Sequence, residues 1–299
     1  MENKSAFIAI VGVPNVGKSS LLNALLGQKI SIVSAKPQTT RNRIMGILTL
    51  DETQLVFIDT PGIHTPKTQL GYYMEKSIKS SISSVDSCLF VVEAGKDLKP
   101  AELKLIKKLK SLNLPVILAI NKIDVLQDKS VLMQQISQIS GLIDFVAVIP
   151  VSAKNRDGLD ILIEELKKIA TCEGHFFQDD ALTDQPERVI VAEIIREKIL
   201  QLVDKEIPHG VAVCVEKMRD RDDGSLMDID ATIYCEKNTH KGILIGKQGS
   251  MLKKIGSAAR FEIERMMEQQ VNLKLWVKVR KEWRDSELLM KNFGYRKED

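Results

Sequence analysis

Fifteen residues near the start, I-A-I-V-G-V-P-N-V-G-K-S-S-L-L at positions 8–22, constrain the fold more than any other stretch. An apolar run over 7–11 ends in Gly12, and Gly17, Lys18 and Ser19 follow at the G-x-x-x-x-G-K-S/T spacing. A buried strand that hands a glycine-rich loop to a helix N-terminus presents backbone N–H groups and the positive end of the helix dipole. That combination suits phosphate. The spacing predicts that Gly12, Val13, Pro14, Asn15, Val16 and Gly17 line the loop. Lys18 is expected to reach the β- and γ-phosphates, and the Ser19 hydroxyl to ligate Mg²⁺. The loop implies a nucleoside triphosphate and leaves the base open.

Strand and helix patterns then alternate over the first 170 residues or so. Strands are expected at 5–11, 44–50, 54–59, 86–92, 115–120 and 145–150, with a hairpin around Asp51 and Glu52. Helices are expected at 19–26, 70–82, 100–109, 131–140 and 159–169. Most of the strands are near-continuous apolar runs, which fit a mainly parallel sheet buried on both faces. The expectation is a doubly wound α/β domain that binds ligands beyond the carboxyl ends of its strands. The length of 299 residues suggests two domains, and 44% hydrophobic with 28% charged residues is ordinary for a globular chain. No apolar run approaches a membrane span and the first residues lack signal-peptide character, so a cytoplasmic location is expected. Cys88, Cys172, Cys214 and Cys235 are far apart and read as free, buried thiols, Cys88 and Cys214 lying in apolar strand patterns.

The other strand ends carry matching chemistry. The strand at 54–59 runs into Asp59, Thr60, Pro61 and Gly62, where a carboxylate can hold Mg²⁺ through its water shell and the Gly62 amide can meet a γ-phosphate. The strand ending at Ile120 leads to Asn121, Lys122, Ile123 and Asp124. Guanine offers two donors on one edge, which a carboxylate at Asp124 accepts as a pair; adenine lacks them. Asn121 would brace this pocket, the Lys122 stem would cover the base, and Ser152, Ala153 and Lys154 would bring a backbone N–H to the guanine carbonyl. Together the motifs select GTP and GDP over adenine nucleotides.

A polar loop at 31–43 is a candidate switch, in which Thr39 or Thr40, with Thr40 preferred, adds a second hydroxyl to Mg²⁺. Lys36, Arg41 and Arg43 are expected to be solvated. Lys18, Thr40 and Gly62 are thus the residues expected nearest the reacting phosphate. Ile63 stands where many GTPases carry a water-orienting Gln, so slow intrinsic hydrolysis is expected. His64 beside it reads as a loop histidine. Asn15 offers an oxygen to a monovalent cation such as K⁺.

These patterns divide the chain into a nucleotide domain at 1–172, a linker at 173–188 and a second domain at 189–299. The linker is expected to be ordered in part, with Phe176 and Phe177 docked on one domain. The second domain reads helix 189–205, strand 211–218, strand 226–235, helix 239–245, then Gly246, Lys247, Gln248 and Gly249, helix 251–268 and strand 271–279. This α-β-β-α-α-β order with G-x-x-G between helices is that of a smaller α+β, type II KH domain, whose loop clamps single-stranded RNA beside an apolar groove. Residues 237–281 hold eleven Lys and Arg against three Asp and Glu, whereas 216–236 hold three against seven. A basic face near the glycine loop is an RNA-binding footprint. The expected contacts are Lys241, Ile243, Ile245, Gly246, Lys247, Gln248, Gly249 and Lys253.

G-V-P-N-V-G-K-S, Q-T-T-R-N-R, D-T-P-G and N-K-I-D, joined to K-G-I-L-I-G-K-Q-G at 241–249, resemble the bacterial Era GTPase family. The likeness covers essentially the whole chain, including I-P-H at 207–209 and L-W-V-K-V at 275–279. It implies a GTPase domain followed by a KH domain that binds the 3′ end of the small-subunit (16S) ribosomal RNA, with GTP gating that binding. A monomer acting in assembly of the 30S subunit is implied, with loose association at the inner face of the membrane. Gln248 departs from the family, where Gly is frequent, which bears on nucleotide preference but not on backbone binding.

Overall fold

The structure, a computed structural model, describes residues 3–34, 36, 39–62, 66, 68–204, 207–222, 224 and 226–295. Ile63 and His64 lie outside the described residues. The chain divides into two compact units. The first holds Met1–Ser31, Thr40–Thr65 and Met74–Asp184; the second holds Ile32–Thr39, Pro66–Tyr73 and Gln185–Asp299.

In chain order the first unit builds β1 (Lys4–Val11), α1 (Lys18–Leu26), β2 (Ile44–Leu50), β3 (Thr53–Asp59), α2 (Gln69–Ser83, whose first turns belong to the second unit), β4 (Ser87–Glu93) and α3 (Pro100–Leu112). It continues with β5 (Val116–Asn121), α4 (Lys129–Ser140), β6 (Ala147–Val151), α5 (Leu159–Lys167) and β7 (Cys172–Glu173). The sheet order is β2-β3-β1-β4-β5-β6, with the short β7 antiparallel to β1 and β2 antiparallel to β3. The remaining pairs are parallel. Alternate residues of β1 feed two cores: Ala6, Ile8 and Ile10 pack with Leu21, Leu22 and Leu162, while Ala9 and Val11 pack with Phe90, Ile106 and Ile139. That double burial is why the strand is apolar at nearly every position.

The expected linker is largely a strap on this unit. The Gln54 side chain accepts from the amides of Phe176 and Phe177 and donates to the Phe177 carbonyl at 3.1 Å. Phe176 sits against Phe7 with ring centroids 5.0 Å apart. Further on, Ile47 N–H donates to Leu182 O at 2.9 Å and Thr183 Oγ1 to Met45 O at 2.6 Å. Arg41 departs from the solvated loop expected of it: it is 1% exposed, because Thr40 and Arg41 return into the first unit beside β2. Cys172 and Cys214 are half-buried, while Cys88 and Cys235 are buried as expected.

The second unit contains α6 (Glu187–Leu202), β8 (Ala212–Asp220), β9 (Met227–Cys235), α7 (Asn238–Ile245), α8 (Ser250–Met267), β10 (Val271–Val279) and α9 (Glu287–Asn292). Its sheet runs β10-β9-β8, parallel then antiparallel. Ile194, Ile195, Ile229, Ile233, Ile255, Ala259 and Ile263 form its core between the sheet and α6 and α8. The tail is folded rather than loose: Trp283 is fully buried, donates through Nε1 to Gly210 O at 2.9 Å and stacks on Tyr295.

Candidate functional site

Register alignment brings the first-unit motifs to one edge of the sheet. Ile10 pairs with Asp59, Glu93 with Asn121, and Asn121 with Val151, so the phosphate loop, Asp59, Asn121 and Ser152 all leave from carboxyl ends. Loop residues Gly12, Val13 and Val16 are buried or nearly so, Pro14 is half-buried and Asn15 is exposed. Gly17 has φ +97°, and a Cβ there would stand 2.3 Å from Asn121 Nδ2; no other residue fits. Lys18 opens α1, is 6% exposed, and donates through Nζ to the carbonyls of Gly12 and Val13 at 3.1 Å each. Burial pulls its ammonium down to about 8, with Asp59 and then Glu102 opposing that pull. Phosphate oxygens would compete for the same N–H donors.

Ser19, Thr40 and Asp59 meet, as their predicted common role requires. Ser19 Oγ donates to Asp59 Oδ2 at 2.6 Å and lies 2.9 Å from Thr40 Oγ1, which is 3.5 Å from the same carboxylate oxygen. Burial pushes the Asp59 carboxyl up, opposed by Lys18 and by the hydroxyls of Ser19, Ser31 and Thr40. Asp59 Oδ1 is buried with no hydrogen-bond partner among the described residues. Hydroxyl and carboxylate oxygens with one buried oxygen left over are the donor set of a hard divalent cation. Thr60 Oγ1 donates to Ile10 O at 2.8 Å, anchoring the turn through Pro61 to Gly62, where a Cβ would stand 2.8 Å from Pro14 Cγ.

Asn121 braces both neighbours: its Nδ2 donates to Val16 O at 2.9 Å, and its Oδ1 accepts from Ala153 N–H at 3.1 Å. Lys122 Nζ donates to Asn15 O at 2.6 Å and pairs with Glu93 at 3.0 Å, stretching its stem across the pocket. Ser152 Oγ donates to Asp124 Oδ1 at 2.7 Å and accepts from Asn155 N–H at 3.1 Å. Ile123 is half-buried and Lys154 exposed. One side chain was missed by motif reading: Ser31, fully buried, donates to Asp59 Oδ2 at 3.0 Å. No spacing rule marks it, since it lies in the loop between α1 and β2, outside the strand-end motifs.

In the second unit α7 ends at Gly246, whose φ of +73° and close approach to Met251 (2.8 Å for an added Cβ) exclude a side chain. Lys247 and Gln248 are exposed in a short 3₁₀ turn, and Gly249 caps α8. Gln248 itself is left-handed, φ +50° and ψ +32°, a conformation that glycine adopts without strain. Ile243 is exposed, Ile245 and Lys241 half-buried. An open groove of 420 Å³ lies between α8 and β10, lined by Leu252, Lys253, Arg260, Leu273 and Leu275 with small residues at Gly256 and Ser257. Of the predicted contacts, Gly249 and Lys253 line it; Ile243 and Ile245 do not. The missed signal was the stripe 249, 252, 253, 256, 257, 260, which is one face of a 3.6-residue helix.

The family described as "50S ribosome-binding GTPase" matches residues 7–122, and the KH domain family matches residues 206–284. GTPase Era of Ruminiclostridium cellulolyticum is 52% identical over 296 residues, covering 99% of both chains, and that of Clostridioides difficile 48% identical over 98% of both. Among solved structures, a variant of Aquifex aeolicus Era bound to GDP·AlF₄⁻ is 38% identical with TM-score 0.94, covering 98% of this chain and all of that one. Era in complex with MgGDPNP and nucleotides 1506–1542 of 16S ribosomal RNA is 37% identical, also with TM-score 0.94, over 99% and 100% of the two chains. With near-complete coverage by such relatives, and the strand-end motifs and KH fold in place, the chain belongs to the Era family of GTPases.

Proposed function

We propose that the protein is an RNA-binding GTPase whose KH domain takes the 3′ end of 16S ribosomal RNA and whose nucleotide state gates that binding during assembly of the 30S subunit. The observation that carries this is one chain holding both the braced GTP motifs and a G-x-x-G turn opening onto a basic, leucine-lined groove. The solved relative bound to 16S nucleotides supports the choice of RNA. In this reading Gly12–Ser19, Asp59–Ile63, Asn121–Asp124 and Ser152–Lys154 hold the nucleotide, and Gly246–Gly249 with Lys253 hold the RNA backbone. Magnesium suits the oxygens of Ser19, Thr40 and Asp59, and when bound it neutralises charge on the β- and γ-phosphates. Lys18 adds a second cation there, and the Gly62 amide is the expected donor to the transferred phosphoryl group. Potassium at Asn15 and slow turnover from Ile63 belong to the same reading.

Gating is supported by the loop at 32–39, which groups with the second unit: Val33 N–H donates to Glu197 Oε1 at 2.7 Å, and Arg196 donates to Thr39 O. The cytoplasmic setting rests on the sequence pattern, and peripheral contact with the membrane on the resemblance; a monomeric state belongs to the same reading, and no helix of the described residues is long and apolar enough to cross a membrane.

The test is the affinity of the full chain for a 16S 3′-end fragment, by fluorescence anisotropy, with a GTP analogue and with GDP. Tighter binding with the analogue is expected, and loss of binding in the double variant Gly246→Asp, Gly249→Asp with hydrolysis retained. Equal affinities in the two nucleotide states would end the gating reading, since a ligand shifts an equilibrium only through differential affinity. Indifference between this fragment and an unrelated RNA would end the ribosomal one.

A further inference from the structure

Asp59 receives three hydroxyls on one oxygen, and only two of them belong to the expected metal set. The third is Ser31 Oγ at 3.0 Å. Ser31 is 0% exposed, and its main chain is clamped by Asn23 of α1. The Asn23 Oδ1 accepts from Ile30 N–H at 3.0 Å and Ser31 N–H at 2.9 Å, while its Nδ2 donates to Ser31 O at 2.7 Å. Asn23 lies four residues after Ser19, hence on the same face of the helix. One helix face therefore supplies a metal hydroxyl and, one turn on, the clamp that fixes a second hydroxyl on the same carboxylate.

We propose that Ser31, held by Asn23, is a positioning residue for the magnesium–nucleotide complex: it sets the rotation of the Asp59 carboxylate. This rests on the magnesium reading above. A single hydrogen bond leaves a carboxylate free to turn about it. Two donors from different elements, Ser19 and Ser31, both on Oδ2, fix its plane. That leaves Oδ1, buried and without a partner among the described residues, as the oxygen turned to the metal's water shell. Ser19 and Thr40 keep oxygen lone pairs for the cation. Ser31 touches neither metal nor phosphate in this account, and acts through Asp59.

The experiment measures release of a fluorescent GDP from the full chain across a Mg²⁺ titration, and GDP affinity in EDTA, for wild type and Ser31→Ala. The expected result is an upward shift of about tenfold in the Mg²⁺ concentration that half-maximally slows release, the equivalent of one lost charge-assisted hydrogen bond. Affinity in EDTA should stay within about twofold. An unchanged Mg²⁺ midpoint overturns the inference. So does an equal loss in EDTA, which would mark Ser31 as merely structural. Should Ser31→Ala not fold, Ser31→Cys, similar in size and a weaker donor, is read the same way. Wild-type release indifferent to Mg²⁺ would overturn the magnesium reading and this inference with it, a result distinct from an unmoved midpoint in a Mg²⁺-dependent wild type.

Discussion

Replacing Asp124 by Asn tests the guanine assignment through a detail of its surroundings. The Ser152 hydroxyl accepts from Asn155 N–H and has one proton to give, which goes to Asp124 Oδ1 at 2.7 Å. In Asp124→Asn that proton still needs an acceptor, so the amide oxygen stays on Ser152 and the amide NH₂ faces the base. Guanine presents N1–H and a 2-amino group on that edge, so one of its donors meets a donor and the other keeps only a neutral acceptor. One charge-assisted bond of about 1.5–3 kcal/mol is lost and the second is weakened, which predicts a fall in GTP affinity of about 10²–10³-fold. Xanthine carries a carbonyl in place of the 2-amino group and should regain one bond, so the variant should prefer XTP to GTP. Competition against a fluorescent GDP with GTP, XTP and ATP reads all three affinities. Unchanged GTP affinity in Asp124→Asn, or parallel loss of GTP and XTP, would refute the argument.

Two further outcomes follow from backbone geometry. Gly17→Ala puts a Cβ 2.3 Å from Asn121 Nδ2 at a φ of +97°; GDP binding should weaken at least tenfold and unfolding stability fall by about 2 kcal/mol, read by titration and thermal melts. Gln248→Gly relieves a left-handed residue at φ +50° and should raise stability by up to about 1 kcal/mol while RNA affinity holds within about twofold, so a destabilised variant would show that the Gln side chain earns its place.

Motif reading succeeded where chemistry is tied to fixed spacing. Fixed spacing put Ser19 at the start of α1, where the structure brings it onto Asp59 and Thr40, and the strand runs were legible because both faces of the sheet are buried. It failed where a contact depends on distant partners. Residues 173–184 look like a polar linker, yet one Gln54 side chain and two β2 main-chain groups fix them to the sheet edge. Arg41 sits in a basic run and is nonetheless buried. Arg196 and Glu197 are charged residues of α6 and both are nonetheless buried, Arg196 paired with Glu193 at 2.6 Å and Glu197 bonded to the loop at 32–39. The groove residues past Lys253 were visible as a helical stripe, but small residues at Gly256 and Ser257 announce a depression only once β10 lies opposite them.

The hydrogen bonds also separate what selects the base from what senses the phosphate. Asn121 joins the phosphate loop at Val16 to the turn at Ala153, Lys122 joins Asn15 to Glu93, and Ser152 holds Asp124. All of these lie within the first unit, so the phosphate loop and the proposed base pocket are braced on each other, and on the proposed reading either nucleotide meets the same guanine contacts. GTP and GDP differ only at the γ-phosphate, where the expected contacts are Lys18, the Gly62 amide and, through the metal ion, Thr40. The residue before it, Thr39, belongs to the second unit, and its carbonyl oxygen takes the Arg196 guanidinium of α6, while Lys36 of the same segment donates to Val203 O and pairs with Asp204 at 3.3 Å. On the gating proposed above, a γ-phosphate and its metal ion that draw on Thr40 meet a preceding segment, 32–39, whose bonds are anchored on α6. Base contacts common to both nucleotides shift no equilibrium; a contact made by one of them does, by as much as its differential free energy. Substituting Arg196 should on this reasoning leave guanine selectivity intact and alter only the difference between GTP and GDP.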